Sequence, residues 1–257
     1  MHGLMRKLLT RYFDRKVLDR WRRAAAAAGT ASLPQLRLQR DQARLLRVQL
    51  DRLIHEADSR LMRPRIGSRQ FPKPLGTDWS WRPDLWRGPM PGRGVCPVAR
   101  QDRLDEQTTI FHDCPQAEIG VRQVRNSDDR DLAPFGLALD VFDFRGSFLS
   151  VSVELPPEAR TDLCGQHMFR ASVQSEQERP ARIFARLNIQ HGPNTEQVLR
   201  ELPPGSEVST VDFDLAHLEL NERRVQKTWL DLILDQPAMN RVVIRDLTLC
   251  RYHRADL

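Results

Sequence analysis

The sequence predicts a mainly β protein: an antiparallel, jelly-roll-like β-sandwich that carries an N-terminal α-helical hairpin. Two changes of pattern point to it. Apolar residues recur every three or four positions up to about residue 62, then every second position from about residue 107. Ten short alternating runs then follow one another with turn residues and no helical pattern between them, as in a sandwich. The expected division is a basic amphipathic hairpin over 1–63, a Pro/Trp-rich strap over 64–106 and a sandwich over 107–257.

The first helix is read from Leu4, Met5, Leu8, Leu9, Tyr12, Phe13, Val17, Leu18 and Trp21, one stripe on a 3.6-residue helix. Arg6, Lys7, Arg11, Arg15 and Arg22 lie on its other side. Gly29 is placed to end it in the left-handed conformation. Ser32 and Gln35 form a capping box for a second helix, with Pro34 in its first turn. That helix extends to about Met62, with Leu36, Ala43, Leu46, Leu50, Leu53 and Ala57 at a and d positions of a short heptad pattern. The hairpin can pack within the chain, pair with a second copy, or lie on an anionic membrane. For the last two roles the candidate residues are Arg6, Lys7, Arg11, Arg15, Phe13 and Trp21.

The strap holds seven Pro and five Gly between residues 64 and 97, a density that predicts neither helix nor central strand. It also holds Trp79, Trp81 and Trp86, which a free linker would not carry. Trp79 and Trp81 point to one side if the chain is extended. They are expected to pack on the body or to offer a stacking platform to a ligand.

Strands are expected over 108–113, 118–124, 136–144, 147–155, 167–175, 181–190, 196–202, 208–214, 228–235 and 241–250. Ile183, Ala185, Leu187 and Ile189 alternate toward a core. Val243, Leu247 and Leu249 are expected on one side of the last strand. Residues 218–226 fit a helical turn between strands. Turn signals include Gly192-Pro193-Asn194 and Pro203-Pro204-Gly205. Arg186, Asn188 and Gln190 alternate onto the face opposite the core. The densest polar cluster, His191-Gly192-Pro193-Asn194-Thr195-Glu196-Gln197, follows that strand, and Arg, Asn and His on a concave polar face suit paired hydrogen bonds with hydroxyls or carboxylates.

Residues 1–70 hold 17 Lys and Arg against 6 Asp and Glu, a net +11; the remainder is −5. Basic charge therefore belongs to the helices and suggests an anionic partner there. No recognition-helix turn or zinc ligand pattern accompanies it, so nucleic acid is not expected. Cys96, Cys114, Cys164 and Cys250 form no C-x-x-C pair and are expected to act as small buried apolar residues in a reduced protein. Basic residues interrupt the N-terminus at every turn, unlike a secretory signal, so the expected location is cytoplasmic, peripheral to the inner membrane if the helices act on lipid.

No cofactor or metal is expected. His112 and Asp113 are adjacent on a strand and point to opposite faces. Asp212 and Asp214 share a strand face, as an acid/base pair would, but no catalytic residue is assigned. A Ser nucleophile elbow, a phosphate loop and a dinucleotide fingerprint are absent from the sequence.

Trp229–Leu234, Met239-Asn240 and Val243–Leu249 resemble the closing strand pair of galactose-binding-like and other carbohydrate-binding jelly-roll sandwiches. That resemblance implies a non-catalytic module. The chain as a whole resembles an uncharacterised bacterial family, a domain of unknown function. The likeness rests on Gly76–Pro89, Phe111–Cys114, Asp131–Gly136, His191–Gln197 and Arg254–Leu257, and it lends no catalytic residues. The expected function is binding of a saccharide or similar polyhydroxylated ligand, with Arg186, Asn188, His191, Asn194, Trp79 and Trp81 as the ligand-binding candidates. The alternatives are a peripheral membrane or scaffold protein acting through its helices, with self-association through them, and a carbohydrate-active enzyme.

Overall fold

The computed structural model describes residues 2–61, 71–90, 92, 94–128, 131–204 and 206–254; within the two long helices, side chains are described at 13, 15–27, 33–54 and 57. The chain divides into two compact units, residues 1–53 and 54–257. Helices α1 (His2–Ala27) and α2 (Leu33–Leu61) hold the N-terminal part. The Ser32 carbonyl accepts the Leu36 N–H, which places Ser32 at the N-cap and Pro34 in the first turn. Gly29 lies in the connecting turn but not in the left-handed region. The Thr30 and Ala31 N–H groups instead close that turn onto the Ala27 carbonyl. Phe13, Val17, Leu18, Leu45 and Leu53 are exposed. No helix among the described residues is long and apolar enough to cross a membrane.

The second unit is an antiparallel sandwich of thirteen strands among the described residues. They are β1 (Thr77–Trp81), β2 (Gly94–Val95), β3 (Gln101–Arg103), β4 (Thr108–His112), β5 (Ile119–Arg125), β6 (Phe135–Val141), β7 (Leu149–Glu154), β8 (His167–Gln177), β9 (Ile183–His191), β10 (Asn194–Glu201), β11 (Val208–Asp214), β12 (Val225–Leu234) and β13 (Asn240–His253). One sheet has the order β11-β8-β13-β6-β5-β2, with β1 also on β13; the other runs β10-β9-β12-β7-β4-β3. Their inner faces interdigitate in one core. Ile183, Ala185, Leu187 and Ile189 of β9 meet Leu230 and Leu232 of β12 and Phe169, Ala171 and Val173 of β8 in that buried cluster. The ten expected strands all form. The β9–β10 hairpin turns through Gly192 at φ +60° followed by Pro193, the Gly-first pattern of a primed turn.

Residues 77–103 are more regular than Pro density suggests. They supply β1, β2, β3 and a short helix α3 (Asp84–Arg87). Pro83 sits at the N-cap of α3, where a missing N–H costs nothing. Pro74 precedes β1, and its carbonyl accepts the Thr77 hydroxyl. Strand β13 pairs with β6 only along Asn240–Ile244 and with β1 along Leu249–Tyr252, so β1 takes over beside β13 where β6 stops.

A bulge corrects the expected alternation of β13. Its register on β8 shifts between Ile244 and Asp246. Val242 and Ile244 join Leu247 and Leu249 in the core, while Val243 does not. One extra residue exchanges the two faces of a strand. Asn126 holds the bulge: its Nδ2 donates to the Arg245 and Ala133 carbonyls. Gly136 lies against it so closely that a Cβ there would sit 2.9 Å from the Ile244 carbonyl oxygen.

Candidate functional site

The outer face of the six-stranded sheet carries a groove of about 530 Å3. Because side chains alternate along each strand, paired outward positions form rows across the sheet. One row reads Arg103, Thr109, Ser152, Asp231, Arg186 from β3 to β9. The next holds Glu154 opposite Trp229. The third sets Gln101 opposite Phe111 and Phe111 opposite Ser150.

Asp231 is the polar centre of the groove. Arg186 donates to its Oδ2 from Nε (3.1 Å) and Nη2 (2.9 Å), and Asn188 Nδ2 donates to the same oxygen at 2.9 Å. Beside this pair, the half-buried Trp229 ring has Lys227 Nζ 5.7 Å from its centroid, and Lys227 is held 2.8 Å from Glu154. An indole face, hydroxyls of Ser150, Ser152 and Thr109, and a planar ion pair thus share one open concavity.

The structure brings only part of the expected ligand set together. Arg186 lines the groove, and Asn188 lies buried beneath it, holding Asp231. His191 is buried at the β9–β10 turn, with Nδ1 accepting the Asn221 N–H, and Asn194 is exposed beyond it; neither lines the groove. Trp79 and Trp81 belong to the other sheet. Their rings stack at 6.2 Å, and Trp79 meets core Phe169 edge-on at 6.0 Å; both are partly buried against the core, and neither lines the groove. Of the helix candidates, Phe13 and Arg15 are exposed and Trp21 is half-buried under Arg20; the side chains of Arg6, Lys7 and Arg11 lie outside the described residues. Sequence reasoning missed Trp229 and Asp231 as site residues. The signal was their same-face i, i+2 spacing on a strand whose other face is Leu230, Leu232 and Leu234.

The acid pair and the His112–Cys114 cluster have other duties. Asp212 accepts two bonds from Arg170, both 2.7 Å, and Asp214 faces Arg254 at 3.3 Å. His112 Nε2 contacts the Val98 carbonyl, while Asp113 accepts from the Ser147 N–H and hydroxyl.

A second cluster lies at one end of the seven-stranded sheet. Asp78, His167 and His253 offer ligand atoms within 4.8 Å of one another. They do not suit a metal ion. The Cys164 N–H donates to His167 Nδ1 at 3.1 Å, which assigns the neutral ring's proton to Nε2 and leaves no lone pair there. Arg251 already holds Asp78 through Nε and Nη2. Burial raises the Asp78 carboxyl, but the hydrogen bonds and charge of Arg251, with the charge of His167 and a backbone hydrogen bond, outweigh it, and the group titrates below its ordinary range. Burial, then the charges of Arg251 and His253, pushes His167 below the usual imidazole value.

Residues 1–257 match the model of DUF6478, a family of unknown function. No curated protein matches the chain. Among solved structures, similarity extends to the enzymatically active domain of tailspike protein 4 of bacteriophage CBA120, at 7% identity and TM-score 0.40 over 56% of this chain; the chain spans 19% of that one. The family 11 carbohydrate-binding module of Clostridium thermocellum, solved with a β-1,3-1,4-mixed-linked tetrasaccharide, aligns at 10% identity and TM-score 0.37, over 61% of this chain and 94% of that one. The C-terminal family 22 carbohydrate binding module of Clostridium thermocellum Xyn10B aligns at 10% and 0.36, over 72% and 99%. At such identities, function is read from this chain's own residues.

Proposed function

We propose that this chain, which belongs to the DUF6478 family along its whole length, is a saccharide-binding protein whose ligand lies in the groove of the six-stranded sheet. The observation that carries this is Trp229 set beside the Arg186–Asp231 pair on an open polar face. A sugar ring presents an apolar C–H face and a rim of hydroxyls. The indole suits the first, and the guanidinium, carboxylate and hydroxyl groups suit the second. None of the three bonds to Asp231 uses Oδ1, so a ligand hydroxyl can donate to that oxygen. Asn188 and Arg186 fix the carboxylate in place, which limits the ordering cost of binding.

The test is affinity electrophoresis of the full chain through a panel of neutral glucans, xylans and galactans, with Trp229→Ala beside it. Retardation by at least one polysaccharide is expected, weakened roughly tenfold or more in the variant, equivalent to about 1.4 kcal/mol. Equal retardation of both proteins, or none of the wild type across the panel, would remove the groove from consideration.

A second reading concerns α1. Phe13, Val17 and Leu18 are exposed among Arg15, Lys16, Arg20 and Arg22, the composition of an interfacial helix. In this reading α1 holds the protein on an anionic lipid surface while the groove binds its ligand.

A further inference from the structure

The turn that leads into β8 places a thiol on an oriented imidazole. The His167 N–H donates to the Cys164 carbonyl at 3.1 Å, closing a tight turn at Cys164–His167. This folds the half-buried Cys164 back over the ring of His167, with Sγ 3.2 Å from Nδ1. Nδ1 is the unprotonated nitrogen, because it also accepts the Cys164 N–H. Nε2 therefore carries the proton and lies 3.4 Å from Asp78 Oδ2, without hydrogen-bond alignment. His167 is 2% exposed, and its ring lies tilted against that of His253, centroids 4.3 Å apart. Arg251 fixes both ends: it grips Asp78, and its Nη1 donates to the Ala159 and Thr161 carbonyls just before the cysteine. Thiol and imidazole are thus in direct contact, with a carboxylate beside the ring's far nitrogen, the pairing of nucleophile and base that activates a thiol.

We propose that Cys164 is a base-activated nucleophilic thiol, a covalent modification site for low-molecular-weight disulfides, with His167 as its base and Asp78 as the carboxylate whose charge supports the base. The Sγ–H proton passes to the His167 Nδ1 lone pair, and the Cys164 N–H gives up its hydrogen bond there. The imidazolium so formed has Asp78 Oδ2 3.4 Å from Nε2, and that carboxylate offsets part of the opposition from burial, Arg251 and His253. The sulfur's electron pair forms a new S–S bond with one sulfur of the incoming disulfide, whose old S–S bond breaks. The departing thiolate takes the proton from the imidazolium. The disulfide is thereby reduced to one thiol as Cys164 is oxidised to a mixed disulfide. Nothing in this step depends on the saccharide groove, which lies on the other sheet.

The other cysteines are internal references. Cys96 is exposed. Cys114 is buried, and burial pushes the Cys250 thiol up to about 11. The native full-length chain is treated with dithiobis(nitrobenzoate) for increasing times, quenched with acid, and the modified peptides are quantified by mass. Cys164 is expected to react at least roughly tenfold faster than the more exposed Cys96, a modest part of what a positioned general base supplies. His167→Gln is expected to remove that advantage and leave the Cys96 rate unchanged within the same molecules. Asp78→Asn, which keeps the side-chain shape, should lower the Cys164 rate by less. A wild-type Cys164 no faster than Cys96, or an undiminished rate in His167→Gln, overturns the proposal. If His167→Gln does not fold, the wild-type comparison and Asp78→Asn decide it.

Discussion

His167 shows how one buried ring ties stability to pH. Its folded-state affinity for protons is below that of a free imidazole, because burial and the nearby charges of Arg251 and His253 oppose the charged form. The unfolded chain releases that restraint and protonates near pH 6.5. Below about that pH the unfolded state therefore binds more protons than the folded state, and stability falls with pH. The contribution is complete above about 6.5 and is lost as pH drops below it. Asp78, whose folded value is lowered, acts in the same direction but only below about pH 4, the ordinary carboxylate range. Thermal unfolding of the wild type is expected to show a falling midpoint between about pH 7 and pH 5. His167→Gln should flatten that window while leaving the acid limb. A variant as steep as the wild type between those values would contradict the assignment to His167.

The strap is the element that the sequence read least well, and two buried anchors attach it to β13. Arg82 donates to both oxygens of Asp246 at 2.7 Å, with its side chain 1% exposed, and Trp86 Nε1 donates to the Ile244 carbonyl at 3.0 Å. Both anchors meet β13 around its bulge, where β6 gives way to β1. Removing one member of a buried ion pair leaves the other charged and uncompensated, at a cost of about 3–5 kcal/mol. Arg82→Ala is expected to lower the unfolding free energy read from urea denaturation by that much, and Arg82→Met with Asp246→Leu by clearly less. Equal losses in both would mean that packing, not charge, is what Arg82 supplies. Neither anchor was legible beforehand. The partners lie 164 and 158 residues apart, and no local spacing encodes such a contact. The ten strands of the body were legible because each carries its own alternation and turn residues. The bulge at Arg245 was not, since its marker is Asn126, more than a hundred residues away. The groove was half legible for a related reason. Arg186 and Asn188 stood out on one strand, but Asp231 and Trp229 became their neighbours only through β9–β12 pairing.

At the scale of the whole molecule, charge separates saccharide binding from lipid binding. The first 70 residues carry net +11 and the remaining 187 carry −5. Binding of a neutral saccharide in the groove depends on stacking and short hydrogen bonds, which added salt hardly screens. Adsorption of α1 to an anionic surface depends on many exposed arginines, and its Coulombic part decays over a Debye length of about 10 Å at 0.1 M salt and about 3 Å at 1 M. The full chain is therefore expected to co-sediment with vesicles containing anionic phosphatidylserine at about 0.1 M salt and to release them by about 1 M. Polysaccharide retardation should change little across the same range. A chain lacking residues 1–53, the unit boundary, should keep the retardation and lose the vesicles. The acidic body would itself be repelled from an anionic bilayer, so any lipid binding left after that truncation would contradict the assignment to the helices. Trp229→Ala supplies the reciprocal case, since a substitution in the groove should leave vesicle binding intact. If both bindings fell together in either variant, the two units would have to act as one, and the charge asymmetry would be a property of solubility and not of partner choice.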